Sequence, residues 1–196
     1  MRNLLTLLFI FLLQCTATSQ SLLNYSSVII PDSLKKDADA VYHLEENIID
    51  IQSSSKMTYR SHSIVTVLTK AGLRHSVIRI PTDKQMKLEE VSVKVYNELG
   101  VEVSRFRKKD FKLEGTYDGV TLASDDKLYE LDFPVPGTPC TIETEFELNM
   151  TGYIDIPSWY FGSTTESFKK SRFVVKSAIP VNYKTYNFNN KPVLTT

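Results

Sequence analysis

Cysteine is nearly missing from this chain. Two in 196 residues, Cys15 and Cys140, exclude a disulfide-rich scaffold and a four-cysteine zinc site. Histidine is almost as scarce, with His43, His62 and His75 alone, which leaves few metal or acid–base options. Trp159 is the only tryptophan. No excess of either charge exists: 23 Lys and Arg face 23 Asp and Glu. That balance argues against a nucleic-acid partner, since a polyanionic backbone is met by a clustered surplus of Lys and Arg. Past the first twenty residues no apolar run approaches the roughly 20 residues that span a bilayer, so no membrane span is expected. Internal repeats, low-complexity tracts and linkers are also missing, and the length suits one domain. What the chain does have is 42% hydrophobic residues, with ten Tyr and ten Phe. That is enough for a packed core and too much for a disordered chain.

The N-terminus carries its own pattern. One positive charge at Arg2 precedes the apolar run Leu4–Leu13, and small residues follow at Ala17 and Ser19. This is the tripartite layout of a secretory signal peptide cut after Ser19. Residues 1–19 are therefore expected to be removed and the chain exported, to the periplasm or outside the cell. Leu12-Leu13-Gln14-Cys15 also resembles a lipoprotein cleavage box, which would make Cys15 a lipid anchor at the outer membrane. The box wants a small residue where Gln14 stands, so lipidation is the weaker match. After a cut at Ser19 the chain loses Arg2 and Cys15 and keeps Cys140 as its only cysteine. Its stability must then come from packing, even in an oxidising compartment.

Residues 20–38 read as a leader that docks through Val28-Ile29-Ile30. It is followed by about two helical turns starting at an Asp32 N-cap. From residue 39 to 196 the segments are short, β-branched or aromatic, and bounded by turn residues, the pattern of an all-β domain. Ala40–Ile51 is the first strand. Tyr59–Thr69 and Leu73–Ile80 are expected to form a hairpin around Lys70-Ala71-Gly72, with Gly72 supplying a positive φ. Glu90–Tyr96 and Val101–Phe106 form a second hairpin, in which Val91, Val93 and Val95 alternate with polar residues. Thr121–Leu131 suggests a short extended pair. Cys140–Met150 alternates over eleven residues, with Cys140, Ile142, Thr144, Phe146, Leu148 and Met150 inward. Strands over 172–177 and 181–188 close the chain. Roughly nine to eleven strands and one short N-terminal helix make an antiparallel β-sandwich or an opened barrel.

Several of these motifs come in a telling order. They are Asp39-Ala40-Val41-Tyr42, Val65 to Gly72, Val93-Lys94-Val95-Tyr96 with Gly100, Asp110-Phe111, Ser124-Asp125-Asp126, Pro136-Gly137-Thr138, and Trp159-Tyr160-Phe161 with Ser171 and Pro180. Over about residues 38–190 this resembles a bacterial domain of unknown function. That domain typically precedes a transglutaminase-like domain in exported proteins of Gram-negative bacteria. After Trp159 the family usually has a glutamine and a proline-valine step, where this chain has Gly162-Ser163-Thr164-Thr165-Glu166. The resemblance implies an accessory module whose partner is a transglutaminase-like domain, in cis or in trans. It brings no catalytic residue with it.

The residues themselves agree. A transglutaminase-like centre needs a Cys-His-Asp triad with an activated thiolate. Cys140 instead starts the apolar side of a strand, where a free Cys packs as a small hydrophobe. His43, His62 and His75 lack metal-ligand spacing, and no cofactor or metal is expected. Glu143, Glu145 and Glu147 form an acidic row that should face solvent or basic residues on a neighbouring strand. A calcium ion there or at Asp125-Asp126 would lack EF-hand spacing. Arg105 and Arg107, in the densest basic run, are candidates for gripping an acidic glycan or headgroup. Trp159, Tyr160 and Phe161 are candidates for a sugar-stacking platform, weighed against a packed corner. The expected function is thus a non-catalytic exported module that packs on a partner domain or binds a cell-envelope glycan or protein. The alternative is a stand-alone carbohydrate-binding module built on Trp159.

Overall fold

The computed structural model describes residues 25–115, 126–152 and 163–180. It contains ten strands in two sheets. These are β1 (Ala40–Ser53), β2 (Lys56–Val67), β3 (Val77–Thr82), β4 (Met86–Tyr96), β5 (Glu102–Arg107), β6 (Lys112–Gly115), β7 (Lys127–Asp132), β8 (Cys140–Thr151), β9 (Glu166–Phe168) and β10 (Ser171–Ser177). The large sheet runs β10-β1-β2-β8-β4-β5, with β9 also along β1, and the small sheet runs β3-β7-β6. The all-β sandwich read from the sequence is the fold.

Strand parity builds the core. Cys140, Ile142 and Leu148 of β8 lie beside Val65 and Val67 of β2 and Val91, Val93 and Val95 of β4 on one face of the large sheet. Ile80 of β3, Leu131 of β7, and Phe133 pack against that face from the small sheet's side. A 3-10 turn over Lys108–Asp110 follows β5 and delivers Phe111 into the same core. The Phe106 and Phe133 rings meet at 5.1 Å.

Four details differ from expectation. The hairpin partner of β2 is β1, joined through Ser54-Ser55, whereas β3 pairs with β7. The segment between β2 and β3 is a 3-10 turn over Ala71–Ser76. Gly72 is needed there for closeness rather than for a positive φ, because a Cβ at that position would meet the Asp39 carbonyl oxygen at 2.5 Å. Second, β9 and β10 run parallel to β1, so the sheet is mixed along this edge. A bulge in β1 between Tyr42 and Leu44 separates the two pairings, and Lys169 and Lys170 bond across it to Tyr42 and Glu45.

Third, the helix α1 (Asp32–Lys35) is one turn, preceded by Pro31 with no side-chain cap. Fourth, the leader docks earlier than expected. Tyr25, Ser26, Ser27 and Ile30 make the contacts, while Val28 (68%) and Ile29 (43%) stay exposed. Polar pairing explains this: Ser27 donates its backbone N–H to the Glu98 carbonyl at 3.0 Å, and Thr141 donates its hydroxyl to the Tyr25 carbonyl at 2.8 Å. The expected strand over 181–188, the extended segment at 121–125 and the Trp159-Tyr160-Phe161 platform lie outside the described residues.

Candidate functional site

The face of the large sheet opposite the core carries a polar centre. In the β2–β8 ladder His62 stands opposite Glu145 and Ile64 opposite Glu143; in the β4–β8 ladder Lys94 stands opposite Glu143. One carboxylate therefore collects side chains from both neighbouring strands. The leader covers it from above, its Tyr25 ring stacked on Tyr96 with centroids 4.1 Å apart.

Glu143 is the hub, only 3% exposed. Its Oε1 accepts from Tyr25 Oη at 2.9 Å and lies 3.0 Å from His62 Nε2. Its Oε2 accepts from Lys94 Nζ at 2.8 Å and from Tyr96 Oη at 2.9 Å. Burial alone would raise the Glu143 pKa, since a charged form is costly in a poorly solvated place. Bonds from His62, Lys94, Tyr96 and Tyr25 outweigh that and draw it down to about 2. Burial and the adjoining carboxylate push the Tyr25 hydroxyl up to about 12, and Tyr96 also rises, with burial the largest cause. The bond to Glu143 raises the His62 imidazole.

The expected acidic row thus divides. Glu147 lies against Arg60 at 2.6 Å, as a row facing basic residues should. Glu145 is exposed and lies 3.2 Å from His62. Glu143 is instead sunk beneath the leader, which the alternation of β8 could not signal. His62 Nε2 and carboxylate oxygens of Glu143 and Glu145 all lie within 4.8 Å of one another. This convergence was missed from spacing. Pairing Val67 with Cys140, the last and first apolar residues of their strands, would have revealed it.

A second polar cluster pins the turn after β2 to β9. Arg74 Nη2 donates to Glu166 Oε1 at 2.8 Å, and His75 Nε2 lies 3.1 Å from the same oxygen. His75 also sits edge-on to Tyr42, whose ring stacks on Phe168. Burial is the largest influence on His75 and lowers its pKa. Cys140 is free and fully buried, and burial pushes its thiol up to about 11.

Of the predicted surface residues, Arg105 forms a two-bond fork with Glu102, each bond 2.8 Å. The backbone N–H of Arg107 donates to Asp110 at 2.7 Å. Lys108 reaches the Leu88 carbonyl and lies over the Tyr129 ring. The basic run is therefore spread over several local partners. Five exposed aliphatic residues lie on the leader, the turn after β4 and the start of β5: Val28, Ile29, Leu99, Val101 and Val103. The bond from Ser27 to Glu98 ties the leader's pair to the turn that carries Leu99 and Val101, and Val103 follows in β5.

Fold and site together define a small β-sandwich in which, among the described residues, the Cys140 thiol is buried and the most strongly perturbed carboxylate, Glu143, is tied to four internal partners. The chain belongs to the family of a domain of unknown function with a solved structure, DUF3857, whose profile matches residues 53–196. A comparison with curated proteins finds no match. Among solved structures, a "putative protease" of Parabacteroides distasonis ATCC 8503 is 13% identical over 62% of this chain and 24% of its own, with a TM-score of 0.49. An M1 zinc metallopeptidase of Deinococcus radiodurans is 11% identical over 58% of this chain and 21% of its own, with a TM-score of 0.28. A two-domain M1 zinc metallopeptidase, as an E323A mutant bound to L-arginine, is 11% identical over 64% and 25%, with a TM-score of 0.29. The chain thus spans about a quarter of the length of these structures.

Proposed function

We propose that this protein is a non-catalytic, exported accessory module that packs against a transglutaminase-like domain. The observation that carries the reading is a set of exposed aliphatic side chains: Val28 and Ile29 on the leader, which Ser27 ties to the turn bearing Leu99 and Val101, and Val103 in the strand that follows. Exposed apolar side chains gathered on a small domain mark a contact with another macromolecule. Aliphatic side chains suit a protein surface better than a sugar, which stacks on aromatic rings. The resemblance read from the sequence motifs implies the same partner class, and the buried Cys140 supports the absence of thiol-based turnover.

The test is a binding measurement between the purified chain and a transglutaminase-like domain encoded in the same frame or operon, followed by sedimentation velocity. A complex with the unmodified chain, lost in Leu99→Asp and Val101→Asp, is the expected result. No complex with the unmodified chain, or equal binding by the variants, would overturn it. Thiol labelling of Cys140 should be slow before denaturation and fast after it. Amine-transfer and peptidase assays should show no turnover, and measurable turnover would refute the non-catalytic reading.

A further inference from the structure

We propose that His62, Glu143 and Glu145 bind a divalent first-row transition-metal ion, for which Zn2+ is the probe. The backbone sets up the site. β2 and β8 are antiparallel neighbours, so His62 and Glu145 are directly opposed, and Glu143 follows two residues earlier on the same face. The imidazole Nε2 lies 3.0 Å from Glu143 Oε1 and 3.2 Å from Glu145 Oε1. A tetrahedral ion at about 2.0–2.2 Å from its ligands holds their donor atoms about 3.4 Å apart. Both His62 edges are within a few tenths of an ångström of that. Closing the remaining edge falls to Glu145, which is exposed and has the freedom to move.

Glu143 is already oriented for the task. Lys94 and Tyr96 hold its Oε2, Tyr25 occupies one side of Oε1, and His62 Nε2 lies on the other, where an ion would replace the shared proton. Outer partners of this kind fix a ligand's direction and raise metal affinity. Beside His62 and Glu145 lies a depression of about 300 Å³ whose wall also includes Glu46, Glu90, Glu147 and Arg60. It gives room for a water in the fourth position; Arg60 and Arg172 pair with its Glu147 and Glu46, so the charge that favours a cation comes from the ligands themselves. One imidazole with two carboxylates suits zinc, manganese or iron better than calcium, which takes oxygen ligands throughout. The inference does not depend on the partner proposed above.

The test is calorimetric titration of the metal-free full chain with ZnCl2, backed by the visible absorption of a Co2+ complex. One saturable site per chain is expected. His62→Ala and Glu145→Gln should each weaken it by at least about tenfold, whereas His75→Ala should leave it unchanged. Glu145 is exposed, so its amide variant keeps the fold and the comparison stays decisive if His62→Ala is unstable. Absence of saturable Zn2+ binding, or a site indifferent to both substitutions, would overturn the assignment.

Discussion

At the scale of single residues, Glu143 is where a small chemical change should matter most. Glu143→Ala leaves the Lys94 ammonium facing a cavity, and breaking a buried ion pair from one side costs about 3 kcal/mol or more. Tyr25→Phe removes one hydrogen bond to the same carboxylate and should cost about 1.5 kcal/mol. Urea denaturation followed by circular dichroism measures both, and equal losses would mean that the leader rather than the carboxylate carries the energy. His43 offers a pH handle away from this hub. Its Nε2 lies 2.8 Å from Thr66 Oγ1, and burial, aided by Lys169, lowers its pKa below the usual 6.5. The folded chain therefore keeps His43 neutral while the unfolded chain takes up a proton first. The His43 contribution to stability is full above about pH 6.5 and falls as the pH drops below it. His75, lowered mainly by burial, adds to the same slope. His43→Gln should flatten the fall between pH 6.5 and 5 without abolishing it, as read from denaturant midpoints. An unchanged slope would clear His43 of the role.

At the scale of elements, the 3-10 turn after β2 depends on one missing methyl. Gly72→Ala forces a Cβ into the Asp39 carbonyl, and overpacking of this sort costs about 1–3 kcal/mol. Thermal melts should show the loss, and an unaffected melting temperature would mean that the turn yields easily. This turn also shows the limit of sequence reading. Lys70-Ala71-Gly72 has the composition of a hairpin loop, and nothing local says that the partner of β2 precedes it. Alternation identified β8 and the inward valines of β4 correctly, because a period of two directly encodes which face meets the core. It gave β8 one polar face, and the leader, distant in sequence, buried part of that face. The Glu143 hub was illegible for the same reason. Its donors come from residues 25, 62, 94 and 96, and only the ladder pairings together with the docked leader bring them to one place.

At the scale of the whole molecule, the family match begins at residue 53, just where β1 ends. Yet β1 is the strand on which β2, β9 and β10 all pair. A fragment of residues 53–196 should therefore show no cooperative unfolding transition. A fragment of residues 39–196 should fold with reduced stability, since it lacks the leader that caps Glu143 and Thr141 and the turn α1 with the apolar residues packed on Val41. Chemical denaturation of the two fragments distinguishes these outcomes, and a stable 53–196 fragment would show that β1 is dispensable.

The parallel pairing of β1 with β10 also decides how the domain answers a pull. The first strand and the last described strand lie side by side over seven paired positions, from Glu45–Ser171 to Ile51–Ser177. Tension applied at the two ends drags β1 backward and β10 forward, so their ladder is loaded in shear. All of its bonds then resist together, instead of opening one after another like a zip. If one end is tethered to an envelope and the other joins a partner domain, this sandwich is a stiff link in a chain under load.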